Sequence, residues 1–93
     1  METIQIRESA ENYLETILVL QKRHGHVRSI DIANELSFSK PSVSVAMKNL
    51  RLNGLIEIDE DGIITLQEAG RVIAERIYER HTLLTQWLEH LGV

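Results

Sequence analysis

The sequence predicts a mainly α fold with a small β-hairpin: a winged helix-turn-helix followed by a long C-terminal helix. Three observations carry that prediction. Two short apolar faces with helical spacing flank a polar turn at Ser37-Phe38-Ser39. Two β-branched runs follow, joined by a turn that contains Gly62. A further apolar stripe then recurs at helical spacing from about Glu68 to His90.

Taken in order, Ala10, Leu14, Ile17, Leu18 and Gln21 repeat with a helical period from about Glu8 to His24, and Gly25 ends the run. Val27 and Arg28 read as a short extended link with room for a first wing strand. Ser29 is expected to N-cap the next helix, whose apolar face is Ile32, Ala33 and Leu36. Ala33 is small where the two helices of such a motif cross. Ser39 N-caps the second helix, Pro41 sits in its first turn, and Val43, Ala46, Met47 and Leu50 form its inner face. Asn53-Gly54 stops it, because both residues tolerate the left-handed conformation. Leu55-Ile56-Glu57-Ile58 and Ile63-Ile64-Thr65-Leu66 then make a hairpin around Asp59-Glu60-Asp61-Gly62, the wing.

The long helix carries Ala69, Ile73, Ile77, Leu84, Leu88 and Leu91 in one stripe, broadened by Val72 and Trp87. Its distal part leaves Leu83, Leu84, Trp87, Leu88 and Leu91 exposed unless the first helix folds back over them or a partner covers them. Gln67 stands at its N-cap and caps poorly.

A chain of 93 residues with 43% hydrophobic content supports one small domain over residues 1–93. Residues 8–66 form the helix-turn-helix and wing, and 67–91 the long helix. Cysteine is absent, which excludes disulfides, thiol catalysis and cysteine-based zinc sites. With no membrane-length apolar run and no signal-peptide pattern, a cytoplasmic protein without a membrane partner is expected. No phosphate loop, nucleophile elbow or paired-acid site points to an enzyme.

The net charge of −4 argues against nucleic acid, whose affinity comes largely from phosphate neutralisation. Distribution outweighs the sum. Lys22, Arg23 and Arg28 gather at the end of the first helix, and Lys40, Lys48 and Arg51 lie on or beside the second helix of the motif. Acidic residues collect in the stretch from Met1 to Glu15 and at the wing tip, where Asp59-Glu60-Asp61 would repel phosphate. Ser39, Lys40, Ser42, Ser44, Val45 and Lys48 face away from the core on a helix of a size and polarity that suit a DNA major groove. A protein-interaction module with a solvated outer face fits the same pattern, and the acidic balance favours it.

Four segments in order, Asn12-Tyr13-Leu14-Glu15-x-Ile17, SKPSVS, Glu68-Ala69-Gly70-Arg71 after the hairpin, and Glu79-Arg80-His81-x-Leu83-Leu84, resemble the N-terminal half of the diphtheria-toxin-repressor family of metal-dependent transcription repressors. The manganese-responsive branch is the nearest, and the resemblance runs from Ser9 to Val93.

The resemblance implies a DNA-binding portion of a repressor regulated by Mn²⁺ or Fe²⁺. It implies metal ligands at Asn12 and Glu15 on the first helix and at His81 on the long helix. Asn12 departs from the aspartate usual in that branch, and an uncharged amide oxygen makes a weaker ligand. Thr85 stands where relatives often carry glutamate, which puts an ancillary site in doubt. Relatives continue past Val93 into helices that supply further ligands and the main dimerisation surface, so this chain by itself is expected to bind metal weakly or not at all. Arg28, Ser39, Lys40, Pro41, Ser42, Ser44, Val45 and Lys48 are the expected DNA-contacting residues. Ser39 and Pro41 match base-contacting positions, while Val45 replaces a polar residue and can touch only a thymine methyl. The expected partners are an AT-rich double-stranded palindrome and a second copy of the chain. Without the resemblance, Glu15 reads as a solvated acid and His81 as a packing histidine on the apolar stripe. A regulator of the same fold without metal dependence therefore stays open.

Overall fold

The computed structural model describes the backbone of residues 2–92 and the side chains of residues 9–92. The acidic side chains before Ser9 and the last residue, Val93, lie outside the described residues. Six elements follow in order: α1 (Glu2–His24), α2 (Ser29–Leu36), α3 (Lys40–Leu52), β1 (Ile56–Ile58), β2 (Ile64–Leu66) and α4 (Glu68–His90). This is the winged helix-turn-helix with a long last helix. α1 begins earlier than the expected Glu8.

α1 is the spine of the core. Tyr13, Leu14, Ile17, Leu18 and Leu20 are buried along it, against Ile32 and Ala33 of α2, Val43, Met47 and Leu50 of α3, Ile56, Ile64 and Leu66 of the hairpin, and Ala74 of α4. Each fully buried Leu or Ile contributes about 1.5–3 kcal/mol by removal from water. Ala33 is buried, in keeping with the close helix crossing expected of it. α2 ends at Ser37, whose left-handed conformation (φ 58) lets the Phe38 N–H donate to the Ala33 carbonyl at 3.1 Å. Phe38 then meets the Tyr13 ring edge-on, with centroids 6.0 Å apart.

Ser39 caps α3 as expected. Its Oγ accepts from the Ser42 N–H at 3.3 Å, and Pro41 occupies the first turn. The cap expected from Ser29 moves by one residue. Arg28 is extended (φ −123, ψ 167), Ser29 is already helical, and the Asp31 carboxylate accepts the Arg28 N–H at 2.9 Å. The N3 acid therefore satisfies the turn from inside the helix.

The hairpin is antiparallel, with Ile56 opposite Leu66, Glu57 opposite Thr65 and Ile58 opposite Ile64. Val27 does not form the anticipated third strand. It contributes one carbonyl, which accepts from the Ile64 N–H at 2.8 Å.

The predicted stripe of α4 meets the core at Ile73 and Ile77 but not at its first member, Ala69. Gly70, Ala74 and Ile77 are buried, whereas Ala69 is exposed. The Gln67 N–H donates to the Leu55 carbonyl at 2.9 Å and draws the start of the helix onto the hairpin. A side chain at position 70 would overlap that same carbonyl and press on Leu14, so only glycine fits the contact. Farther along, Leu83, Leu84, Trp87, Leu88 and Leu91 are exposed, as anticipated.

Candidate nucleic-acid interface and metal centre

Burying Val43, Met47 and Leu50 fixes the rotation of α3 and so decides what it presents outward. The helical period brings Pro41, Val45, Lys48 and Leu52 into one outer row. Val45 is 61% exposed and Leu52 70%. Lys40, Ser42 and Ser44 are exposed beside that row, with Asn49 and Arg51 farther along. Ser39 and Ser42 also serve the cap, since the Ser39 hydroxyl donates to Ser42 Oγ at 2.8 Å. A groove of about 280 Å³ lined by Ser29, Ile30, Lys40 and Ser44 runs between α2 and the start of α3.

Asn49 and Leu52 belong to this surface and were missed in the sequence. Their signal was there: they lie four and seven residues after Val45, the two steps that stay on one helical face. Asn49 is of particular interest because a carboxamide can pair with an adenine edge in two hydrogen bonds.

The basic group at the end of α1 is not one surface. Arg23 Nη1 donates to Glu35 Oε1 of α2 at 3.2 Å. The Lys22 ammonium lies 5.4 Å from the centre of the Tyr78 ring on α4. Arg28 Nε–H donates to the Asp61 carbonyl at the wing tip at 3.1 Å. Each cation of this group has an intramolecular partner, and each partner lies on a different element.

A second cluster lies across the contact between α1 and α4. Glu15 Oε2 stands 2.7 Å from His81 Nδ1, although 66 residues separate them. The ring nitrogen is the donor, because an ionised carboxylate only accepts. The Glu15 side chain is 16% exposed and that of His81 57%, which leaves one side of the pair open. Asn12, one turn before Glu15, lines the same groove of about 180 Å³ with Glu11, Glu15, Ile77, Arg80 and His81. The three residues expected as ligands therefore border one groove. A larger groove of about 410 Å³ opens on the other flank of the pair, between Glu15 and Val19 of α1 and Tyr78, Thr82 and Thr85 of α4. Thr85 turns its hydroxyl back to donate to the His81 carbonyl at 2.9 Å. His24, His26 and His90 are exposed elsewhere.

The donor chemistry fits part of a divalent-ion site. Carboxylate, imidazole and amide groups all suit Mn²⁺ or Fe²⁺. Hard divalent ions gather about six donors, and among the described residues no group of three or more His, Cys, Asp or Glu side chains stands ready to hold a metal.

The family described as "Iron dependent repressor, N-terminal DNA binding domain" matches residues 5–64. The transcriptional regulator MntR of Escherichia coli O157:H7 is 34% identical over 87 residues, which cover 94% of this chain and 56% of that protein. The HTH-type transcriptional regulator MntR of Geobacillus kaustophilus (strain HTA426) is 34% identical over 85 residues, covering 91% of this chain and 60% of that one. The structure of the manganese regulator SloR superposes with a TM-score of 0.66 at 32% identity, over 77% of this chain and 34% of SloR. The chain thus spans a little over half the length of the curated relatives it matches.

Proposed function

Because the chain belongs to the iron-dependent-repressor family through its N-terminal DNA-binding domain, we propose that it is the DNA-binding portion of a metal-dependent transcriptional repressor, responsive to Mn²⁺ or Fe²⁺ and acting in the cytoplasm. The observation that carries this reading is the 2.7 Å pairing of Glu15 with His81, two of the ligand positions implied for the family, across the contact of α1 with α4. No described helix is long and apolar enough to cross a membrane. The relatives it matches are transcription regulators, and no catalysis is proposed.

In this reading α3 enters the major groove. Ser39, Pro41, Ser42, Ser44 and Val45 meet base edges and thymine methyls, while Lys40 and Lys48 meet phosphates. Val45 lacks a hydrogen-bonding group, which favours AT-rich half-sites. The acidic wing tip stays off the backbone. A second copy covers the exposed distal face of α4, and two recognition helices then meet a palindrome.

Glu15 and His81, with Asn12, would hold the ion, which when bound would supply a positive charge shared between α1 and α4. The work of this chain's own residues is mechanical. Leu14, Ile17 and Leu18 tie α1 to the helix-turn-helix core, and α4 leads to the partner copy. The Glu15–His81 bridge between α1 and α4 thereby sets the spacing of the two reading heads.

The direct hydrogen bond of the pair favours a second reading. It closes the bridge with a proton alone, as a metal-independent regulator of the same fold would require. Selection from a random double-stranded DNA pool, run in parallel with Mn²⁺ and with a chelator, decides between them. Enrichment of a palindrome only with Mn²⁺ supports the metal-dependent repressor, and equal enrichment in both arms supports the metal-independent one. Enrichment in neither arm argues against DNA binding by this chain. In the metal-dependent case His81→Ala keeps the fold, read by circular dichroism, and abolishes the difference between the arms.

A further inference from the structure

We propose that Arg28 is a positioning residue that clamps the wing to the helix-turn-helix, and that it does not contact a DNA phosphate. The wing needs such an anchor. Its strands are three residues each, and a short isolated two-stranded hairpin is barely stable in water. Its turn also concentrates Asp59, Glu60 and Asp61, whose like charges repel.

Part of the order is internal. Asp59 Oδ1 accepts the N–H groups of Asp61 and Ile63, both at 2.9 Å, and the Gly62 N–H donates to the Asp59 carbonyl at 3.0 Å. The rest comes from the link between α1 and α2. The Val27 carbonyl accepts the Ile64 N–H at 2.8 Å where β2 leaves the turn, and Arg28 Nε–H reaches the Asp61 carbonyl at the wing tip. The Arg28 N–H is itself held by Asp31 of α2 at 2.9 Å. One residue therefore joins the first turn of α2 to the wing tip, with a guanidinium beside the acidic turn. Its directed bond is to a wing carbonyl, and that bond sets the orientation of the side chain.

The clamp fixes where three carboxylates stand relative to α3. In the DNA-binding reading, on which only this consequence rests, a fixed acidic tip restricts the angles at which α3 approaches phosphate-lined DNA. Lysine keeps the charge of arginine but lacks the Nε–H of the guanidinium plane. Arg28→Lys therefore separates the clamp from a phosphate contact, and Arg28→Ala removes both.

The test combines amide hydrogen exchange on the free 93-residue chain with the salt dependence of DNA binding. Both variants are expected to speed exchange at Gly62, Ile63 and Ile64 by about tenfold, the effect of losing one charge-assisted hydrogen bond. The amides of α1 should keep their protection, which shows that the fold is intact. The slope of log affinity against log salt should match the parent chain in both variants. Wing exchange unchanged in Arg28→Lys overturns the proposal. So does a slope that falls by about one in Arg28→Ala, the mark of a lost phosphate contact. Should the parent chain bind no DNA, the reading of its function fails while the exchange data still decide the clamp.

Discussion

The two halves of α4 have similar apolar spacing and opposite surroundings. The first half lays Gly70, Ala74 and Ile77 into the core, against the hairpin and α1, whereas the second half leaves Leu83, Leu84, Trp87, Leu88 and Leu91 exposed. Hydrophobic period reports which face of a helix is apolar. It does not report what lies opposite that face. The proximal half is explained within this chain, and the distal half is explained by the second copy proposed to cover it.

Substitutions can break this contrast from the buried side. Gly70→Ala has the largest expected effect, because its Cβ would overlap the backbone of Leu55, which cannot swing away as a side chain can. Such overpacking should cost about 3 kcal/mol, read from the midpoint of denaturant unfolding. Ile77→Ala should follow at about 2–3 kcal/mol, for lost burial and the cavity left behind. The matching change Leu84→Ala on the distal half should alter the stability of the isolated chain by no more than about 0.5 kcal/mol. It should instead weaken self-association, measured by sedimentation. A Leu84→Ala variant as destabilised as Ile77→Ala would erase the distinction between the halves.

Smaller changes sharpen the contrast. Gln67 stands at the N-cap of α4 with no side-chain cap hydrogen bond. Gln67→Thr should therefore stabilise by about 1 kcal/mol, seen as a higher unfolding midpoint, and leave self-association unchanged. The smallest effect concerns pH. Burial pushes the Tyr13 phenol above its ordinary value of 10.0. The fold favours the neutral phenol, so this contribution is fully present below about pH 10 and is lost as pH rises through the elevated folded value. An alkaline titration should show Tyr13 ionising late.

Much of the fold was legible because its signals are local. The Ser39 cap, the Asn53-Gly54 stop and the hairpin around Asp59–Gly62 depend on hydrogen bonds a few residues apart. The outer row of α3 was legible up to Lys48, although Asn49 and Leu52 on the same exposed surface went unread. Glu15 and His81 were found through resemblance, since nothing in their own neighbourhoods marks them as a pair.

By itself the sequence determined the element order, the turn chemistry and the apolar face of each helix, because these follow from backbone geometry and nearest neighbours along the chain. Only the tertiary structure decided three other matters. It rotated the start of α4 so that Gly70, not Ala69, meets the Leu55 carbonyl. It dispersed Lys22, Arg23 and Arg28 onto Tyr78, Glu35 and the wing tip. It brought Glu15 within hydrogen-bond reach of His81. All three depend on how separate elements seat against one another, a matter of shape and contact distance that no local pattern encodes.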